Sequence, residues 1–287
     1  MLRPTTLLLL AAAARAQLAV QLDPFAANSI RVRVAPPGLP VADPILMALL
    51  PSPPASATAV SGDGASSLTN GNLRITVDPA TSCVTATRVS DGAVLLKQTA
   101  LLFGAPDVPT SRAGSVSSLV SFAGTAGEKI YGLGEHRTGT VNQMPYSKRF
   151  ADSQDYGQSH GADVSIPWYA SSLGYGFVWN SAAYGSVNIT EEAITWRANA
   201  TLSVDFWITT TPDDFDPRSG VSPYASLLSQ YVDAVGHAST MPYYATGFIQ
   251  CKDRYRNQSQ VRAQPIAQFF YFFLLTPFPP FFSPAAA

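Results

Sequence analysis

From Gln17 to about Gly104 hydrophobic and polar residues alternate in short runs separated by turn residues. Ser29-Ile30-Arg31-Val32-Arg33-Val34 alternates strictly, as a half-buried strand does. Leu73 to Val77 repeats the pattern directly after the turn signal Asn70-Gly71-Asn72. Val84 to Val89 and Ala93 to Leu96 flank Asp91-Gly92, which predicts a hairpin. The stretch from Pro51 to Gly64 is rich in Pro, Ser, Ala and Gly, has no period and predicts a loop. The same grammar continues to about Pro212. Gly174 to Trp179 predicts a buried strand, and Ser186–Ile189, Ala193–Trp196 and Leu202–Ile208 follow at close spacing. Many short strands with turns between them predict a β-sandwich or barrel. With no helical period over these two hundred residues, a doubly wound α/β fold is excluded for this part.

The period then switches. Ser222 precedes Pro223, a good N-cap followed by proline at the first helical position. Tyr224, Leu227, Leu228, Tyr231, Val232 and Val235 predict one apolar helix face, which Gly236 closes. Met241-Pro242 and an apolar segment from Tyr243 to Gln250 follow. The last residues differ again: from Phe269 to Phe282 seven Phe are broken by three prolines, which makes neither a helix nor a membrane span.

Composition removes several classes. The chain has 287 residues, 13% charged, with a net charge of −1, so it carries no electrostatic footprint for nucleic acid. Two Cys and three His, unclustered, do not make a zinc module. No run reaches 18 apolar residues, and no membrane span is expected. Met1-Leu2-Arg3, the apolar run Leu7 to Ala14 and the small residues Ala14 and Ala16 read as a secretory signal cleaved before Gln17. Export gives meaning to the sequons at Asn188, Asn199 and Asn257, which become expected sugar sites on surface loops. Cys83 and Cys251 are expected to be buried and unpaired.

Candidate chemistry is sparse. Gly132-x-Gly134 lacks a third glycine, since Arg137 stands there, and reads as a strand end needing glycine backbone freedom rather than a phosphate loop. His136, His160 and His237 read as structural residues before ligands. The polar stretch from Val141 to Asp163 suits a sugar-facing surface and equally a solvated loop. Asp213-Asp214-Phe215-Asp216 lacks the ligand spacing of a calcium loop and reads as a solvated turn. Trp168, Trp179, Trp196 and Trp207 read as core, with a sugar platform among them left open. No G-x-S-x-G elbow and no H-E-x-x-H is present.

Several segments together resemble glycoside hydrolase family 31. Tyr131-Gly132-Leu133-Gly134-Glu135-His136 is similar to its YGLGE signature. Ile166–Tyr169 with Gly174–Asn180 resembles its next strand pair. Tyr231–Val235, Gly236-His237, Met241-Pro242 and Gly247–Gln250 resemble its entry into the catalytic barrel. Lys252–Arg256 with Asn257-Gln258 looks like the α-xylosidase branch. Ile249 stands where the family has Trp, and the similarity ends after Val261. The resemblance implies an all-β, galactose-mutarotase-like sandwich over 17–217, a helical linker over 218–240 and the start of a (β/α)8 barrel over 241–261. A signal over 1–16 and an aberrant tail over 262–287 complete the expected division.

The family hydrolyses O-glycosyl bonds of α-glucosides and α-xylosides with two aspartates on later barrel strands. A barrel needs about 250 residues, whereas 47 remain from Met241, so neither aspartate is expected in this chain, and no cofactor is implied. Family sandwiches send a loop toward the active site, which makes Asp152, Asp155, His160 and Asp163 candidate substrate contacts. A free-standing carbohydrate-binding sandwich is the alternative reading.

Overall fold

The computed structural model describes residues 18–41, 48–51, 57–62, 65–135, 139–150, 164–215, 222–247 and 256–260. The chain divides into two compact units, Met1–His237 and Ala238–Ala287. In the first unit, two antiparallel sheets face each other. The six-stranded sheet runs in the order β1 (Val20–Phe25), β2 (Ser29–Val34), β15 (Val204–Thr210), β12 (Tyr175–Trp179), β11 (Val164–Ser171), β9 (Ile130–Glu135). The nine-stranded sheet runs β10 (Tyr146–Phe150), β13 (Gly185–Ile189), β14 (Ala193–Thr201), β8 (Val116–Ala123), β7 (Val94–Gly104), β6 (Val84–Arg88), β5 (Leu73–Val77), β4 (Ala65–Asn70), β3 (Ala57–Gly62). This is the expected all-β sandwich.

Alternation puts Ile30, Val32 and Val34 of β2 inward, facing Leu73, Ile75 and Val77 of β5 in one buried cluster. Aromatic rings fill its middle. Phe122 meets Phe177 and Phe206 edge-on at 5.5 and 5.7 Å, and Tyr169 lies parallel to Trp196 at 6.3 Å. Burying one such large side chain contributes roughly 1.5–3 kcal/mol.

The opposite face of the six-stranded sheet is also covered. Helix α1 (Pro223–Val235) lies against β11, β12 and β15. Ser222 Oγ accepts from the Tyr224 N–H at 3.3 Å, and Gly236, at φ 101°, ends the helix. Leu227 and Ala234 pack on Trp168, Val178 and Trp207, and the Tyr231 ring stacks on Trp168 at 4.4 Å. Gln230 fixes the contact by accepting from Thr209 Oγ1 at 2.7 Å and donating to the Thr210 carbonyl at 3.1 Å. Residues 48–51 close the rim. Leu49 is buried in this cluster, and the Leu50 N–H donates to the Ala234 carbonyl at 2.8 Å.

The four tryptophans are core residues, as expected, but they serve two cores. Trp179 and Trp196 lie between the sheets, Trp168 and Trp207 beneath the helix. Other expectations need correction. β3 forms inside the predicted 51–64 loop: its sequence, ATAVSG, has little hydrophobic contrast, and pairing with β4 supplies what the local pattern lacks. β10 likewise forms inside the polar 141–163 stretch by pairing with β13. Leu228 is 50% exposed and leaves the predicted helix face. Cys83 is free and only half-buried at the margin of the core, and Cys251 lies outside the described residues.

In the second unit, Tyr243–Thr246, which opens the apolar segment expected as the first barrel strand, is a 3-10 turn closed by Thr246 Oγ1 donating to the Tyr243 carbonyl at 2.7 Å. No strand pairs with it among the described residues, and an extended segment without a partner gains no ladder hydrogen bonds. Residues 248–250 lie outside the described residues. Asn257 Oδ1 accepts from the Gln260 N–H at 3.0 Å.

Candidate functional site

The strands that flank the polar segment define one end of the sandwich. β10 ends at Phe150, opposite Gly185, and β11 begins at Val164, opposite Glu135. Because β11 pairs with β12 through Trp168–Val178, Val164 and Gly185 lie toward the same end. The chain between Phe150 and Val164 carries Asp152, Asp155, His160 and Asp163, all four outside the described residues, as is His136. A groove of about 290 Å³ opens at this end, with Thr110, Arg112, Ser115, Ser181 and Thr201 in its lining.

β9 shapes the approach to this end. Gly132, Leu133 and Gly134 all have positive φ, at 126°, 68° and 101°. A Cβ on Gly134 would lie 1.9 Å from the Val164 carbonyl oxygen, and one on Gly132 2.6 Å from that of Trp168. The glycines thus permit a close backbone crossing at the place where the β9–β11 register shifts between Ser165 and Tyr169. The sequence expectation of a strand end relying on glycine freedom is met. Leu133, fully buried in the left-handed region, holds the local strain.

Among the described residues, the two most enclosed carboxyl groups are structural and sit on opposite faces of the six-stranded sheet. Asp205, 1% exposed on the helix-facing side, accepts from Arg31 Nε at 3.0 Å, Arg31 Nη2 at 2.7 Å and Asn180 Nδ2 at 2.7 Å. Burial pushes its carboxyl above its ordinary range, and the Arg31 guanidinium and Asn180 amide offset only part of this. Glu128 reaches the inner side. Its Oε1 accepts from Ser171 Oγ and, at 2.8 Å, from the Tyr175 hydroxyl, which lies 3.4 Å from that of Tyr169. Burial pushes the Glu128 carboxyl above its ordinary range, and the hydroxyl donors offset only part of this. The same burial, with the Glu128 charge, pushes the Tyr169 and Tyr175 hydroxyls up.

The raised Glu128 value has a stability consequence. The native state holds this proton more tightly than the unfolded chain. The contribution is complete below the ordinary carboxylate range and is lost as pH rises through the higher native value. Glu128→Gln, neutral throughout, is therefore expected to flatten the fall in unfolding free energy between acidic and neutral pH. At pH 7 it should be more stable than the parent. Urea titrations of both proteins across that range check this. A parent whose stability rises from acidic to neutral pH, with the rise lost in the variant, would contradict it.

The other described ionisable candidates are surface features. His237 Nε2 lies 2.7 Å from Asp233 Oδ1, one turn back on α1, with both side chains mostly exposed. Asp213 and Asp214 sit in a turn after β15. Asn188 and Asn199 lie on β13 and β14, not on the expected surface loops, because strand pairing extends through both sequons; Asn188 and Asn257 are exposed and Asn199 is half-exposed. Neither the split of the tryptophans nor the hydroxyl cage around Glu128 is announced by a local motif, since Glu128 meets its partners across 43 and 47 positions.

Residues 19–188 match the family described as the glycosyl hydrolase 31 N-terminal galactose mutarotase-like domain. An uncharacterized family 31 glucosidase of Pseudescherichia vulneris is 30% identical over 148 residues, covering 52% of this chain and 25% of that protein. The alpha-xylosidase of Saccharolobus solfataricus is 26% identical over 137 residues, 47% of this chain and 17% of that one. The crystal structure of a GH31 alpha-xylosidase from a soil metagenome, complexed with xylose, superposes with a TM-score of 0.69 at 27% identity. That match covers 90% of this chain and 38% of the xylosidase. The chain thus spans a quarter or less of these two curated relatives. By its matched sandwich, this chain belongs to glycoside hydrolase family 31, in which it represents the N-terminal galactose mutarotase-like domain.

Proposed function

We propose that this chain is the N-terminal, carbohydrate-associated part of a retaining α-glycosidase of the α-glucosidase or α-xylosidase type. It enters the secretory pathway and does not turn over a glycoside by itself. The observation that supports this most is the family match over residues 19–188, in a chain covering 25% of one curated relative and 17% of another. Hydrolysis with retention takes two carboxyl groups about 5–5.5 Å apart across the scissile bond. Glu128 and Asp205 do not serve, because they lie on opposite faces of a sheet and are held by hydroxyls and by a guanidinium.

The part this chain plays is support. Asp152, Asp155, His160 and Asp163, in the segment between β10 and β11, are its candidate contacts to a sugar held chiefly by the barrel. A lysosomal alpha-glucosidase of Rattus norvegicus is among the relatives, 28% identical over 142 residues. It agrees with a lumenal setting, as does the signal-like N-terminus.

The expected result with the purified chain is no release of aryl alcohol from an aryl α-glucoside or aryl α-xyloside. Turnover by pure protein would overturn the reading. Sequencing the coding DNA downstream of the Val261 codon tests the same idea independently. A frame encoding a barrel with a family-like aspartate motif is expected, and its absence would favour a free-standing carbohydrate-binding sandwich.

A further inference from the structure

The two outward faces of the sandwich are chemically unlike. That of the six-stranded sheet carries Phe25, Trp168, Val178 and Trp207 and is closed by α1. That of the nine-stranded sheet is wet. Around β13 and β14 it presents Ser147, Asn188, Thr195, Ser121 and Arg197, with Ser121 and Thr195 hydroxyls 2.9 Å apart. Two of the three sequons fall on this face. Asn188 lies directly between Ser147 on β10 and Thr195 on β14, both with short side chains. Its side chain is exposed and makes no hydrogen bond among the described residues. Asn199 lies on β14, four residues beyond Thr195, where the pairing of β14 with β8 shifts register between Ala198 and Thr201; Ala198 beside it is fully buried, and Asn199 itself is half-exposed at this bulge. Its backbone is fixed, donating to the Tyr184 carbonyl at 2.7 Å and accepting from the Asp107 N–H at 2.8 Å. Its amide is likewise without a partner among the described residues.

We infer that Asn188 and Asn199 are N-glycosylated, and that the glycans mark the outer face of the nine-stranded sheet at β13–β14 as a surface that stays free of other domains and other copies. The inference rests on the secretory reading above. In the transfer, the side-chain nitrogen attacks the anomeric carbon of an oligosaccharide carried on a lipid pyrophosphate. A C–N bond forms and the C–O bond to the pyrophosphate breaks. The amide gives up one proton, and the lipid pyrophosphate leaves with the bonding electron pair. The sequon hydroxyls afterwards serve the fold. Thr190 Oγ1 accepts from the Ala193 N–H at 3.2 Å in the β13–β14 turn, and Thr201 Oγ1 donates to the Ser203 carbonyl at 2.8 Å. The two asparagines stand about 14 Å apart along the sheet, so two branched sugars at these points would cover the face around β13 and β14.

The test expresses the full chain in a eukaryotic secretory host, once behind its own N-terminus and once behind an established export leader. An amidase that cleaves the Asn–sugar bond and leaves Asp is applied in heavy-oxygen water, and peptides are read by mass spectrometry. Heavy-oxygen Asp at 188 and 199 is expected, with one gel-mobility step lost in Asn188→Gln, one in Asn199→Gln and both in the double variant. Thr190→Ser, which keeps both sequon and turn hydroxyl, should retain the first step. Both glycans should come off the folded protein without denaturant. Unmodified Asn188 or Asn199 behind the established leader overturns the assignment of that site. Glycans released only after denaturation overturn the free-face reading. Modification behind the leader but not behind the native N-terminus upholds the sites and counts against export alone.

Discussion

Asp205→Ala is expected to lower the unfolding free energy by about 3–5 kcal/mol, because it removes one partner of an ion pair held against a covered sheet face. Asp205 is 1% exposed, and the Arg31 side chain is 13% exposed. Without the carboxylate, Arg31 loses a two-pronged contact and the Asn180 amide loses its 2.7 Å acceptor. The damage extends further, because Asn180 Oδ1 accepts from the Ala48 N–H at 3.0 Å and so helps to hold residues 48–51 against the helix. Asp205→Asn keeps an acceptor and should cost less. Equilibrium unfolding in urea, followed by tryptophan fluorescence, measures both. A loss below about 1 kcal/mol for the alanine variant would show that the pair contributes no more than an exposed one.

Gly134→Ala is expected to cost about 3 kcal/mol or more. Two penalties combine: a left-handed φ of 101°, and a Cβ placed 1.9 Å from the Val164 carbonyl oxygen. The obstacle is backbone, so no rotamer change relieves it, and β9 and β11 must separate. Gly127→Ala is the control. Its φ is also positive, at 75°, but nothing lies within 4 Å of the added carbon, so its cost should stay near 1 kcal/mol. Equal losses for the two variants would mean that the close crossing has no role of its own and only the backbone angle counts.

Much of this fold is visible to a reader of the chain because large β-branched and aromatic residues mark the inward positions. β2, β5, β12 and β15 stand out for that reason. β3 and β10 do not: one is built from small residues and the other sits in a polar stretch, and each becomes a strand by pairing with a neighbour. The helix was legible in its cap, its start and its stop, yet Leu228 points away because the covering face is narrower than the apolar stripe. The buried acids were illegible for a different reason. Asp205 and Arg31 are 174 positions apart, and nothing local tells a buried Asp from a surface one. At the candidate site, the YGLGE segment was legible as a glycine-dependent bend, but which strands it would cross was not.

The long reach between β2 and β15 bears on the order of events at the ribosome. Arg31 finds Asp205, and Ser29 Oγ finds Thr209 Oγ1 at 2.7 Å across 180 positions. One side of β2 therefore has no native neighbour until almost the whole first unit has been synthesised. Its first hairpin with β1 emerges early and must wait, with open backbone groups available to any passing strand. Non-local closure of this kind is slow. Synthesis halted before Thr210 leaves the six-stranded sheet without its central strand, and such a nascent chain depends on chaperones until β15 arrives.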